Sequence, residues 1–212
     1  LFMFHRLALP VLFLFSCASY AQEPRVESLL HSLSKCDDSF FRLVASSKVQ
    51  LVDYAPLARQ AGPTGFAVPD RAHETESRVL FRKPIRAAGH DIVGYFDEVH
   101  ELLPDSHVYS WGFLVAGSVE TVATAFQPFI WDAQRLRAAG PVFVRAELWT
   151  HANPDAGWTN VRAESGIPGR GTVERVLLVE PYDGETRFIR FGCSLQGSVT
   201  PPLIREMRPD LR

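Results

Sequence analysis

The sequence predicts an α+β fold built as two similar halves, each a helix plus an antiparallel sheet, with the helices packed on one sheet face. Three observations predict it. Apolar residues alternate with period two through residues 78–85, 91–99, 108–116, 142–149, 173–180 and 186–196, the pattern of strands with one buried face. Apolar residues at three-to-four spacing in 24–46, 118–130 and 200–207 mark amphipathic helices before, between and after those strands. Finally, Trp111-Gly112-Phe113-Leu114-Val115-Ala116-Gly117-Ser118-Val119 recurs as Phe191-Gly192-Cys193-Ser194-Leu195-Gln196-Gly197-Ser198-Val199. Gly112, Gly117, Ser118 and Val119 match Gly192, Gly197, Ser198 and Val199 at one constant offset. Each copy reads as an aromatic-led strand running into Gly-Ser, and Ser starts helices by accepting a hydrogen bond from an orphan backbone N–H.

Taken in order, the first helical stretch carries Val26, Leu29, Leu30, Leu33, Cys36, Phe40, Leu43 and Val44 on one stripe. Pro24 suits its first turn, and a break is expected near Ser32, since Ser34-Lys35-Cys36-Asp37 has the form of a capping box. Residues 49–57 read as an edge strand that Pro56 limits, and Gly62-Pro63, Gly65 and Val68-Pro69 make 59–77 a loop. A hairpin across Ala88-Gly89 joins 78–85 to 91–99 and requires Pro84 at a strand end or bulge. The strand 108–116 follows the Pro104-Asp105 turn, and Ser118 starts a helix with Val119, Val122, Ala123, Phe126, Phe129 and Ile130 inward, which Pro128 kinks or divides. After the strand 142–149 comes a second Gly/Pro-rich loop, 150–172, then a hairpin across Asp183-Gly184. Thr200-Pro201 opens the last helix, whose apolar face is Leu203, Ile204 and Met207.

Alternation assigns faces. Tyr109, Trp111, Phe113 and Val115, with Ile189, Phe191, Cys193 and Leu195, are expected under the helices. Val142, Val144, Ala146 and Leu148 are expected inward as well, which turns Arg145, Glu147 and Trp149 outward to join Phe188 and Arg190 on an open face. Charged groups beside exposed aromatics compose an interface patch, and these five are the candidate binding residues. Cys36 lies on the inward helical stripe and Cys193 on the inward strand side, so the two are expected to form a disulfide.

Residues 1–21 read as a secretory leader: His5 and Arg6, an apolar run over 7–15, and small residues before Gln22. Cleavage is expected after Ala21, leaving one domain, 22–212, of two halves at about 22–117 and 118–212. The rival is lipidation at Cys17, because Leu14-Phe15-Ser16-Cys17 resembles a lipobox. The net charge of −2 draws neither nucleic acid nor an anionic membrane. Gly-x-Ser-x-Gly, His-Glu-x-x-His, the phosphate-binding Gly-x-x-x-x-Gly-Lys and Cys-x-x-Cys are all missing from the sequence, and no cofactor or metal is expected. His100 and His107 flank one loop, but surface histidines in turns are common.

In plan, two helix-plus-sheet halves in an exported chain resemble the tandem architecture of secreted β-lactamase inhibitor proteins, and bacterial immunity proteins are of similar size. The likeness is architectural and implies no residue role. The expected function is an exported envelope module that binds or inhibits another protein, or holds a small ligand, through the open sheet face and the two long loops. One alternative is a periplasmic hydrolase or other enzyme whose site converges from loops, drawing on His90, His107, His151, Asp105 or Glu147. Another is a small-ligand carrier with a cavity between sheet and helices.

Overall fold

A computed structural model describes residues 25–59, 61–104, 106–163, 166–183 and 187–211. The expected leader with Cys17, Asp105, and Gly184 of the expected turn lie outside these described residues. The six period-two segments, joined by two short strands that the periodicity does not mark, form one eight-stranded antiparallel sheet in an α+β fold: β1 (Arg78–Ala87), β2 (His90–Leu103), β3 (Ser106–Ala116), β4 (Arg137–Ala139), β5 (Val142–Thr150), β6 (Thr159–Val161), β7 (Thr172–Pro181) and β8 (Phe188–Gly197), of which β4 and β6 are the two short ones. Their order is β1-β2-β3-β8-β7-β5-β4, with β6 beside β5. The β1–β2 turn places Ala88 and Gly89 at φ 46° and 84°, the pair of positive values that a tight hairpin twisting with its strands requires. Pro84 lies where the β1–β2 register shifts, since it has no N–H for the ladder.

Among the described residues five α-helices accompany the sheet: α1 (Val26–Ser34), α2 (Ser39–Ser46), α3 (Lys48–Leu51), α4 (Val119–Phe126) and α5 (Pro201–Met207). The break between α1 and α2 falls at 35–38 and not at Ser32. Cys36 turns the chain there at φ 56°, and the Asp37 carboxylate accepts the Ser39 backbone N–H at 2.9 Å to start the next helix. The edge strand expected over 49–57 is corrected: the chain is helical through Leu51. Leu51, Tyr54 and Ala55 are buried at helical spacing, and a short apolar run does not by itself distinguish the two periods. The loop 150–172 likewise contains β6 and a short 3₁₀ turn at Pro154–Ala156.

The core is aromatic and joins alternate residues of the sheet to the helices. Phe40 meets Phe113 edge-on at 5.7 Å, Phe41 lies 5.9 Å from Trp111, and Phe126 meets Phe191 at 5.3 Å. We call this the inner face. Gly112 and Gly192 are directly paired across β3 and β8. A Cβ on Gly112 would stand 2.4 Å from both the Gly192 Cα and the Phe191 carbonyl oxygen, so the two strands approach only because both lack side chains. The Gly-Ser pairs that end the two strands do different work. Ser118 caps α4, its hydroxyl accepting from Thr121 N and its backbone N–H donating to the Thr121 hydroxyl in return, whereas Thr200 precedes α5, and Ser198 is used elsewhere.

Cys36 and Cys193 are bonded, their Cα atoms 5.4 Å apart, tying the α1–α2 turn to β8 across 157 residues of chain. A second fastening holds the C-terminal turn. Arg208 is fully buried between the Phe41 and Trp111 rings, each 4.7 Å from its guanidinium carbon. Its Nη2 donates to both Asp97 oxygens at 3.0 and 2.9 Å and to Asp210 at 2.9 Å, while Arg71 Nε donates to Asp97 at 2.8 Å. Burial pulls the Arg208 pKa down, but Asp97 and Asp210 more than reverse this and hold it above the usual arginine value.

Candidate functional site

The five residues expected on an open face are divided between the two faces, a correction that follows from register. Arg145 pairs with Leu177, Leu177 with Cys193, and Cys193 with Trp111, so Arg145 shares the inner face. Glu147 and Trp149 follow with it, and Val144 and Ala146 turn outward, where they cluster with Val176. The alternation of β5 was legible, but its phase was not, because a one-residue slip exchanges the faces of a strand. Arg145 and Glu147 are buried, with Arg145 stacked 4.8 Å over Trp131 and Arg175 bridging Glu147 at 2.8 Å. Desolvation pushes the Arg145 pKa down to about 10, against the pull of Glu147.

Phe188 and Arg190 do lie on the outer face, but that surface is occupied by its own side chains. Arg190 lies 4.9 Å from the Phe96 ring and 5.2 Å from Tyr182, and donates to Glu98 at 2.7 Å. Phe96 in turn covers Gly192: a Cβ there would lie 2.7 Å from its ring. Burial raises the Glu180 pKa, which Arg190 only partly offsets. The folded chain therefore holds that proton more tightly than the unfolded chain. The corresponding stability is complete below the unfolded carboxylate value, about 4.3, and is lost as pH rises through the higher folded value. Glu180→Gln is expected to raise stability at pH 7 and flatten its decline above pH 5. Urea midpoints at pH 4, 5, 6 and 7 check this, and identical pH profiles for variant and parent would refute it.

The concave surface lies at the end of the sheet where β2 ends and β3 begins. A cleft of 990 Å³ opens there, with Leu103, His107 and Tyr109 on one side, Ile167, Pro168 and Arg170 on a second, and Val199 and Ile204 on a third. Local chemistry shapes it. Gly197, at φ 106°, lies against Pro168, and a Cβ would meet the Thr172 carbonyl oxygen at 2.5 Å, so only glycine allows the 166–171 loop to lie on the strand end. Ser198 then joins three segments. Its hydroxyl accepts Gly171 N at 2.9 Å, its N–H donates to Thr172 O at 2.9 Å, and its carbonyl accepts His151 Nε2 at 2.8 Å. A carbonyl only accepts, so His151 Nε2 carries the proton of this bond.

His107 stacks on Tyr109 with centroids 6.1 Å apart, and burial raises the Tyr109 pKa, so that phenol is a donor at neutral pH. The Ser106 hydroxyl is buried on the cleft wall without a hydrogen-bond partner among the described residues. Arg170 is exposed and makes no ion pair among the described residues. Leu103 and Ile167, 53% and 46% exposed, are large apolar side chains left on the rims.

Of the residues proposed for a converging site, His107 and His151 thus line one cleft. His90 is at the opposite end of β2, bonded to the Ala116 carbonyl at 3.0 Å, Glu147 is buried under arginines, and Asp105 lies outside the described residues. His100 pairs with Val108 and His107 with Glu101, which puts the two histidines on opposite faces of the sheet, where they cannot share an ion. Among the described residues no group of three or more His, Cys, Asp or Glu is placed to hold a metal, and no helix is long and apolar enough to cross a membrane. Tyr109, Arg170, Ile167 and Ser198 were not legible as site residues; the one signal was the density of Gly and Pro in 166–171. No protein-family model, curated protein or solved structure matches this chain, so its functional reading rests on this geometry.

Proposed function

We propose that this chain is an exported binding module whose working surface is the loop-end cleft, and that it takes a small amphipathic anion, a carboxylate or phosphate on an apolar body. The observation that carries the reading is the meeting, in 990 Å³, of Arg170, His107 and the Tyr109 hydroxyl with the apolar side chains of Leu103, Ile167, Val199 and Ile204. Donors from β3 and a cation from the 166–171 loop hold an acidic group between them, and the aliphatic side chains desolvate the rest of the ligand. The leader-like residues 1–21 and the Cys36–Cys193 disulfide support export. The working surface moves from the sheet face to the second long loop. We also take the two halves as a duplicated unit, supported by the strand order β1-β2-β3 meeting β8-β7-β5 at the Gly112–Gly192 pair. Homologous chains in which one Gly-Ser pair varies without the other would remove that part.

Titration with 1-anilinonaphthalene-8-sulfonate, an anionic aromatic fluorophore, tests the cleft. Saturable binding to the native protein is expected, displaced by octanoate and weaker for neutral N-phenyl-1-naphthylamine. Arg170→Ala is expected to weaken it by about tenfold, the loss of one charge-assisted hydrogen bond of about 1.5 kcal/mol. Equal affinity for the charged and neutral probes, or no effect of Arg170→Ala, would sink the proposal. A second reading, a hydrolase with His151 as general base, is favoured by the place of His151 on the wall of the same cleft, where the Ser198 carbonyl fixes its ring. Turnover of p-nitrophenyl acetate that His151→Ala abolishes supports it; a rate equal to that of buffer removes it.

A further inference from the structure

We propose that a second, smaller pocket behind α5 binds a small organic cation, of the quaternary or methylated ammonium class. This pocket of 380 Å³ is lined by Trp149, Trp158, Pro154, Leu203 and Glu206, and of its lining only Thr200 also borders the cleft. Leu148 pairs with Thr159 across β5 and β6, so the next positions, Trp149 and Trp158, bring two indoles to the same end of the sheet. Both are partly exposed. A cation is attracted to an indole face, and more strongly where water is partly excluded.

Charges stand on both sides of that attraction. Arg175 already lies 4.5 Å from the Trp158 ring, and it shares Glu147, at 2.8 Å, with Arg145 at 3.7 Å and Arg135 at 3.9 Å. Glu206 is exposed and forms no ion pair among the described residues, which leaves one carboxylate at a pocket of two aromatic rings. The walls decide which cation fits. A primary ammonium brings three N–H donors, of which the Glu206 carboxylate and the Thr200 hydroxyl satisfy only part, while the indole faces, prolines and leucine satisfy none. A methylated ammonium has few or none, and presents a charge spread over methyl groups that those walls cover well.

The proposal stands apart from the cleft and is tested apart from it. Calorimetric titration with choline is expected to give saturable binding, at least about tenfold tighter than for 3,3-dimethylbutan-1-ol, its neutral carbon isostere, or for ethanolamine. Trp158→Leu and Glu206→Gln are each expected to weaken choline by about tenfold, while Arg170→Ala in the cleft leaves it unchanged. Glu206 is on the exposed side of α5, so its variant keeps the test open even if Trp158→Leu fails to fold. Sedimentation with phosphatidylcholine but not phosphatidylglycerol vesicles, lost in Glu206→Gln, assigns the ammonium to a lipid headgroup; binding of free choline alone assigns it to a soluble ligand. Equal binding of choline and its neutral isostere, or choline affinity unaltered by Glu206→Gln, overturns the proposal.

Discussion

Replacing Cys36 and Cys193 together with serine is expected to lower the unfolding free energy by about 2–5 kcal/mol. At roughly 2–4 °C per kcal/mol for a domain of this size, the melting temperature should fall by about 4–20 °C. The bond closes a loop of 157 residues, and chain entropy alone gives about 5 kcal/mol for a loop of that length, an upper value. Its position adds to the effect, because the turn it anchors carries Phe40 and Phe41 into the aromatic core. Calorimetry of the oxidised protein, the reduced protein and the double variant checks this. Coincident transitions for all three would show that the crosslink contributes nothing, and two titratable thiols in denatured, unreduced protein would show that it does not form.

Asp97→Asn is expected to cost about 3–5 kcal/mol, the loss that follows when one partner leaves a buried ionic network. Asp97 is fully buried and accepts from Arg208 and Arg71; without its charge, two arginines face Asp210 alone. Arg208 has no route to water, since the rings of Phe41 and Trp111 lie at 4.7 Å. A comparison sets the scale. Arg42 and Asp38 also form an ion pair, but the Arg42 side chain is 66% exposed, and Arg42→Ala should cost less than about 1 kcal/mol. Urea unfolding at pH 7 separates the two cases. Equal midpoints for Asp97→Asn and Arg42→Ala would mean that burial gives this network no added weight.

Both interactions join segments distant in sequence, yet only one was legible. The disulfide followed from two stripe positions and a compartment, because each cysteine sits within a periodic apolar pattern that fixes its direction. Nothing local marks Arg208: it follows an amphipathic helix in an ordinary-looking Arg-Pro-Asp turn, and beyond Asp210, two positions on, its partners come from α2, β2 and β3. Cation placement between two rings depends on where those rings meet in space.

Local chemistry settled the six long strands, most helices, the Ala88-Gly89 hairpin and the inward sides of β3 and β8, since side-chain spacing and turn residues act within a few positions of themselves, whereas the three-residue strands β4 and β6 are too short to show a period. Tertiary contact decided the phase of β5, the helical turn at 48–51, and the cleft. On β5 both alternating sets contain large apolar groups, so the buried side is set by the register against β7, and Arg145 is buried because Trp131 and Glu147 are there to receive it. The cleft depends on Ser198 holding His151, Gly171 and Thr172, residues separated by up to 47 positions. Period-two spacing specifies that a strand has two faces, but only its neighbours specify which face meets water, because that choice is an energy of contact and not a property of the segment.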